Sequence, residues 1–201
     1  MTAPTKTLKE HPILFSGEMV KAILDNRKTM TRRIIKLPKC EFPYVYYGAK
    51  TGEYLFGEPN YPEEGSFAID CPYGQVGDRL WVRETFSVRE TPKEFIVEYK
   101  AGGLMVCPSV YAKWKPSIFM PRWACRIILE NVSVRVERVQ DITEAEALRE
   151  GILFKSPPIS SGGGYRRTFE AGWDEMYSKK PELQWEVNPW VWRVEFERVT
   201  S

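Results

Sequence analysis

The chain has 201 residues, 43% of them hydrophobic, enough to bury a core as one domain or as one domain carrying large insertions. Its 29 basic and 27 acidic residues leave a formal charge of only +2, which excludes a global polycation that holds nucleic acid by counterion release alone. Any nucleic-acid contact has to come from a local patch. Four cysteines at positions 40, 71, 107 and 125 include no Cys-x-x-Cys pair, so no zinc site is expected, and the single histidine, His11, reads as a partly exposed side chain near the N-terminus. There is no basic-then-apolar leader and no run of about 18 apolar residues, so the reading is a cytoplasmic chain with free thiols and no membrane contact.

Residues 1–11 are polar and are read as a loose segment ahead of a single domain spanning 12–199. Pro12 to Phe15 can form a short strand. Ser16 then offers an N-cap to a helix over Gly17–Asp25, where Met19, Val20, Ile23 and Leu24 recur at helical spacing. Asn26 stands where a left-handed residue ends a helix. From Thr31 a strand is expected, with Thr31, Arg33 and Ile35 on one face and Arg32, Ile34 and Lys36 on the other. Lys28 has the wrong parity to share Thr31's face, so it belongs to the turn or to a bulge.

Residues 37–71 contain Pro38, Pro43, Pro59 and Pro62 among Tyr44, Tyr46, Tyr47, Tyr54 and Tyr61 and read as an insertion; the tyrosines can stack on bases or cover a satellite core. After the turn signal Gly77-Asp78, a strand is predicted over Arg79–Phe86, buried on both faces, and another over Glu94–Tyr99. Trp114 to Trp123 is a proline-stiffened loop presenting indole and guanidinium groups together. From Cys125 the apolar set (Cys125, Ile127, Leu129) changes phase to Val132, Val134 and Val136, which requires a bulge or turn near Glu130-Asn131.

Thr143 and Glu146 form a capping box for a helix that Gly151 stops. A second insertion covers 153–187: Ser156–Gly164 reads as mobile, and Phe169, Trp173, Met176 and Tyr177 define a helix over 168–178 whose aromatic stripe is core. The last strand, Pro189–Glu197, alternates with Trp190, Trp192, Val194 and Phe196 inward, as a half-buried closing strand. Strands, three short helices and no βαβ repetition predict an α+β fold, a small mixed sheet or barrel with peripheral helices.

The densest polar chemistry lies in Asn26-Arg27-Lys28-Thr29-Met30-Thr31-Arg32-Arg33, with an amine, two hydroxyls and three guanidiniums in eight residues. The run Asn26-x-Lys28-x-x-Thr31-x-Arg33 resembles the Gly-x-Lys-x-x-Thr/Glu-x-Arg motif of the ASCH domain family, part of the PUA-like β-barrel superfamily. Gly77-Asp78-Arg79-Leu80-Trp81-Val82-Arg83-Glu84, the Ile142 to Gly151 helix and the strand ending at Phe196 resemble the same family in order. With Met120-Pro121-Arg122-Trp123-Ala124 and Asn188-Pro189-Trp190-Val191-Trp192, the cast looks most like the longer ASCH proteins of phages and prophages.

The resemblance implies a PUA-like barrel and a cleft for a nucleoside or RNA. It also implies, from one branch of the family, a metal-independent amidohydrolase acting on N4-acetylcytidine. On that pattern the catalytic set is Lys28, Thr31 and, by alignment of the downstream helix, Glu150. Arg33, Arg32, Glu84, Arg122, Trp123 and Arg126 are the candidate substrate-binding residues, and no cofactor is required. Other readings of the same residues are a non-catalytic RNA or modified-base module, a ribonuclease, or a structural arrangement in which Lys28 and Arg33 form salt bridges with Glu150 and Glu84.

Overall fold

Among the described residues, alternating apolar side chains build ten strands. They are β1 (Glu10–Leu14), β2 (Met30–Ile34), β3 (Val45–Gly48), β4 (Glu53–Phe56), β5 (Phe67–Ala68), β6 (Arg79–Arg83), β7 (Phe86–Glu90), β8 (Phe95–Tyr99), β9 (Ile128–Arg138) and β10 (Trp190–Arg198). Three α-helices accompany them among the described residues: α1 (Gly17–Leu24), α2 (Glu144–Arg149) and α3 (Tyr165–Met176). The structure is a computed structural model that describes residues 8–37, 45–48, 53–57, 67–91, 94–101, 113–152 and 164–199. Residues 156–163 of the expected Ser156–Gly164 loop and the side chains of Tyr44, Tyr46 and Tyr61 lie outside the described residues.

The main sheet has the order β1-β6-β9-β10-β2, parallel between β1 and β6 and antiparallel elsewhere. β3-β4-β5 form a second sheet from the first insertion, and β7-β8 a hairpin. Among the described residues no barrel closes. The edge strands β1 and β2 share no backbone ladder. Their link is a side chain, Arg33 Nη2 donating to Leu14 O at 2.6 Å. The chain just before β2 pairs instead with the end of α2, through a bridge between Lys28 and Glu150 and through Thr29 N donating to Arg149 O at 2.9 Å. The expected small barrel is therefore an open sheet with a seam between β1 and β2.

The phase change in β9 is a bulge. Glu195 faces Ser133 and the next residue, Phe196, faces Asn131, so Val132 is the extra residue and points to solvent. Val134 and Val136 then lie opposite Val194 and Trp192. The strand expected over Arg79–Phe86 breaks at Glu84-Thr85 because Phe86 leaves to pair with Tyr99 and Lys115. The closing strand is also more enclosed than expected, since Val191 and Arg193 are buried along with Trp192, Val194 and Phe196.

Two cores explain that enclosure. On one face Ile13, Leu80, Val82, Leu129, Val194 and Phe196 pack against Val20 and Ile23 of α1. Each such side chain contributes roughly 1.5–3 kcal/mol through apolar burial. On the other face α2 and α3 bring Ala147, Phe169 and Trp173 onto Val139, Ile142, Trp185 and Val191. Met176, expected in the aromatic stripe, is exposed at the end of α3.

Candidate functional site

Lys28 reaches its position through two left-handed residues. Asn26 (φ 57°) ends α1, and the amides of Arg27 and Lys28 both donate to Ala22 O at 2.8 and 3.0 Å. Gly151 (φ +81°) ends α2 in such close contact that a Cβ there would lie 2.8 Å from Lys28 Cβ and 2.9 Å from Ala22 Cβ. The glycine thus lets Glu150 sit directly beside Lys28.

The Lys28 amine is 2% exposed and donates to Glu150 Oε2 at 2.7 Å, Met30 O at 2.7 Å and Glu150 O at 3.0 Å. Its three hydrogens are matched by three acceptors. Burial holds its pKa below the ordinary lysine value, against the pull of Glu150 in the other direction, and the positive charges of Arg33 and Arg32 add to the lowering.

Phe15 connects this amine to the seam. Its ring lies 5.6 Å from Lys28 Nζ and 5.1 Å from the Arg33 guanidinium, measured to the centroid. Thr31 lies opposite Val194 and Arg33 opposite Trp192, so both belong to the face that carries the first core. The Lys28 amine and the Arg33 guanidinium thus share the Phe15 ring next to the seam, with Thr31 on the same strand face as Arg33. Arg33 has one carbonyl partner, Leu14 O, and its Nε has none among the described residues.

The opposite face of β2 has a different character. Arg32, with no exposed side-chain surface, donates through Nε to Glu137 at 2.8 Å, through Nη2 to Glu146 at 3.0 Å and through Nη1 to Glu150 at 3.3 Å. Arg193, its cross-strand neighbour, pairs with Glu146 at 2.8 Å and with Glu195. Arg149 also reaches Glu195, at 3.0 Å. Burial pushes the Glu137 carboxyl above its usual range even with Arg32 beside it. Burial acts on Glu146 in the same sense, but the Thr143 amide, Arg32 and Arg193 outweigh it and hold its pKa down. Glu146 therefore caps α2 and fastens that helix to the sheet with one carboxylate.

The remaining candidates are apart from this site. Glu84, 1% exposed, forms a two-pronged pair with Arg126 at 2.8 and 2.9 Å, and Arg126 also lies over the Tyr99 ring. Burial raises the Glu84 carboxyl's pKa despite that partner. Arg122 is held by Glu10 at 2.7 and 2.9 Å, and Trp123 is an exposed indole near Phe95. Of the two salt bridges of the structural alternative, Lys28 with Glu150 is formed, whereas Glu84 belongs to Arg126. His11 lies in β1, its Nε2 3.6 Å from the buried Asp78 carboxylate.

Sequence reasoning did not single out Phe15, Arg193, Glu137 or Glu195. Arg193 and Glu195 occupy the outward positions of an alternating strand, and nothing local shows that α2 and α3 cover that side. A usable signal was the coincidence of Arg32, Arg193, Glu137 and Glu195 at outward positions of three different predicted strands.

No protein-family model matches the chain, and no curated protein sequence matches it. Among solved structures it is similar to a DUF984 family protein from Enterococcus faecalis V583, at 11% identity and a TM-score of 0.44, over 96% of this chain and 82% of that one. It is also similar to an ASCH domain from Lactobacillus crispatus JV V101, at 15% identity and a TM-score of 0.36, over 94% of this chain and 79% of that one.

Proposed function

We propose that the chain binds a nucleoside or RNA at the seam between β1 and β2, and that Lys28, Thr31 and Glu150 hydrolyse the amide of an acylated cytidine-type base there. The observation that carries this reading is that the Lys28 amine and the Arg33 guanidinium both lie against the Phe15 ring, at 5.6 and 5.1 Å from its centroid, with Thr31 on the same strand face as Arg33. The motif's resemblance to ASCH domains supplies the substrate class.

In this reading the neutral Lys28 amine takes the Thr31 Oγ proton as Oγ attacks the amide carbonyl carbon. Arg33 offers its N–H groups to the oxyanion that forms. Collapse breaks the carbon–nitrogen bond, and the leaving exocyclic amine receives the proton from Lys28, with Glu150 orienting the ammonium or relaying that proton. Water then cleaves the Thr31 ester, so that amide and water give cytidine-type amine and carboxylic acid. Burial favours the neutral amine that the first step needs, and the Glu150 carboxylate works against it.

A second reading rests on the complete matching of the Lys28 hydrogens by three acceptors, which suits a fixed structural ammonium in a non-catalytic base reader. Incubation with N4-acetylcytidine, followed by chromatography for cytidine, separates the two. The hydrolase reading predicts release by the wild type and loss of at least about a hundredfold in Lys28→Ala and Thr31→Ala. It also predicts a rate that rises with pH to a plateau whose midpoint lies below the ordinary lysine value. Binding without release by the wild type selects the reader.

A further inference from the structure

A cavity of about 560 Å³ opens between the insertion sheet and the main sheet, well outside the Lys28 pair. Three aromatic rings run from its rim to its floor. Tyr47, 59% exposed, meets half-buried Tyr54 at 5.2 Å and 67°, and Tyr54 meets buried Trp192 at 5.6 Å and 83°. In an edge-to-face contact the edge of one ring covers a face of the other, so it is exposed Tyr47 at the rim that can offer a face to a flat guest, and among the described residues none of the three rings has a parallel stacking partner. The polar lining includes the carboxylates of Glu53 and Asp70, which form no ion pair among the described residues, and the guanidinium of Arg135. A neighbouring cavity of about 530 Å³ has Ile69, Asp70 and Trp192 in its lining as well, so Asp70 borders both.

We propose that this cavity is a stacking site for a planar nitrogen heterocycle of the nucleobase class that carries an exocyclic amine, as cytosine and adenine do. Ionised carboxylates only accept hydrogen bonds, so the guest's edge has to donate them. An amine-bearing base does so, whereas a carbonyl in the same place, as in uracil, meets a like partial charge. The rings supply stacking, which tolerates any base, and Asp70 with Glu53 supplies the choice among bases. The site goes beyond the chemistry proposed at Lys28 and does not depend on it. Its guest is either a free nucleoside or one base of a single strand, in which case Arg135 faces the backbone phosphate.

Titration of the full chain with cytidine, uridine and single-stranded hexamers of each tests this, read by calorimetry and by the indole N–H resonance of Trp192. Cytidine is expected to move the Trp192 signal and to bind at least about tenfold more tightly than uridine. Tyr47→Ala, at an exposed rim position, is expected to weaken cytidine about tenfold or more. Asp70→Asn is expected to narrow or reverse the preference, because an amide can donate to a carbonyl. A hexamer that binds more tightly than cytidine, with an affinity that falls as salt rises, marks a strand as the source; equal affinity marks the nucleoside. The Tyr47→Ala and Asp70→Asn effects are read on cytidine binding and not on release from N4-acetylcytidine, which keeps this result separate from any failure of hydrolysis. An unmoved Trp192 signal at millimolar cytidine, or a cytidine preference unchanged in Asp70→Asn, would overturn the proposal.

Discussion

The two faces of β2 carry the same residue types and use them in opposite ways. On the helix side Arg32 has three carboxylates around it and Arg193 has two close ones, so the positive charge is matched within the fold. On the seam side Arg33 has one carbonyl and a phenyl ring. The difference is one of partners and not of residue type: among the described residues Arg33 has no carboxylate beside it, whereas Arg32 and Arg193 do. Arg32 and Arg33 are neighbours in the sequence, and only the partner residues tell them apart.

The comparison breaks most visibly at Glu150, which serves both sides by holding Lys28 and Arg32. Glu150→Ala leaves a buried ammonium without its anion, and denaturant unfolding should show a loss of about 3–5 kcal/mol. A loss under about 1 kcal/mol would mean that the pair is not part of the structural frame.

A smaller effect is expected at Glu84, a second buried carboxylate with a single cationic partner. Arg126→Ala should cost about 3 kcal/mol near pH 7. Because the folded-state pKa of Glu84 lies above its ordinary value, the folded chain binds the extra proton between those two values. Stability therefore falls as pH rises through that window and is recovered on acidification. Melting curves of Arg126→Ala at pH 7 and near pH 5 should accordingly lie closer to the wild type at the lower pH.

Thr143→Ala tests the helix that carries Glu150. It removes the acceptor for the Glu146 amide and should cost about 1 kcal/mol in thermal unfolding. The smallest effect concerns Cys71, whose thiol burial pushes up to about 12. Site-resolved alkylation at pH 8 should leave it essentially unmodified in the folded chain, since the thiolate is the reactive form.

The same contrast explains what was legible in the sequence. Local signals carried well: Ser16 and Thr143 cap their helices, Asn26 is left-handed, and the bulge or turn expected near Glu130-Asn131 is a bulge at Val132, the next residue. The motif also pointed to Lys28 and Glu150, which the fold brings to 2.7 Å. Long-range partnering was not legible. Arg32 and Arg193 look outward in their own strands; the carboxylates around Arg32 arrive from β9, α2 and the residue after it, more than 100 residues away, and Arg193 shares Glu146 with it. Nor does alternation show whether a sheet closes, since the seam depends on where α2 docks against the chain before β2.

The most direct test is the affinity of Arg33→Ala for N4-acetylcytidine, measured at a temperature where the variant is folded. The account predicts a loss of at least about tenfold while stability stays within about 1 kcal/mol of the wild type. Unchanged affinity would contradict the assignment of the β1–β2 seam as the ligand side of the molecule.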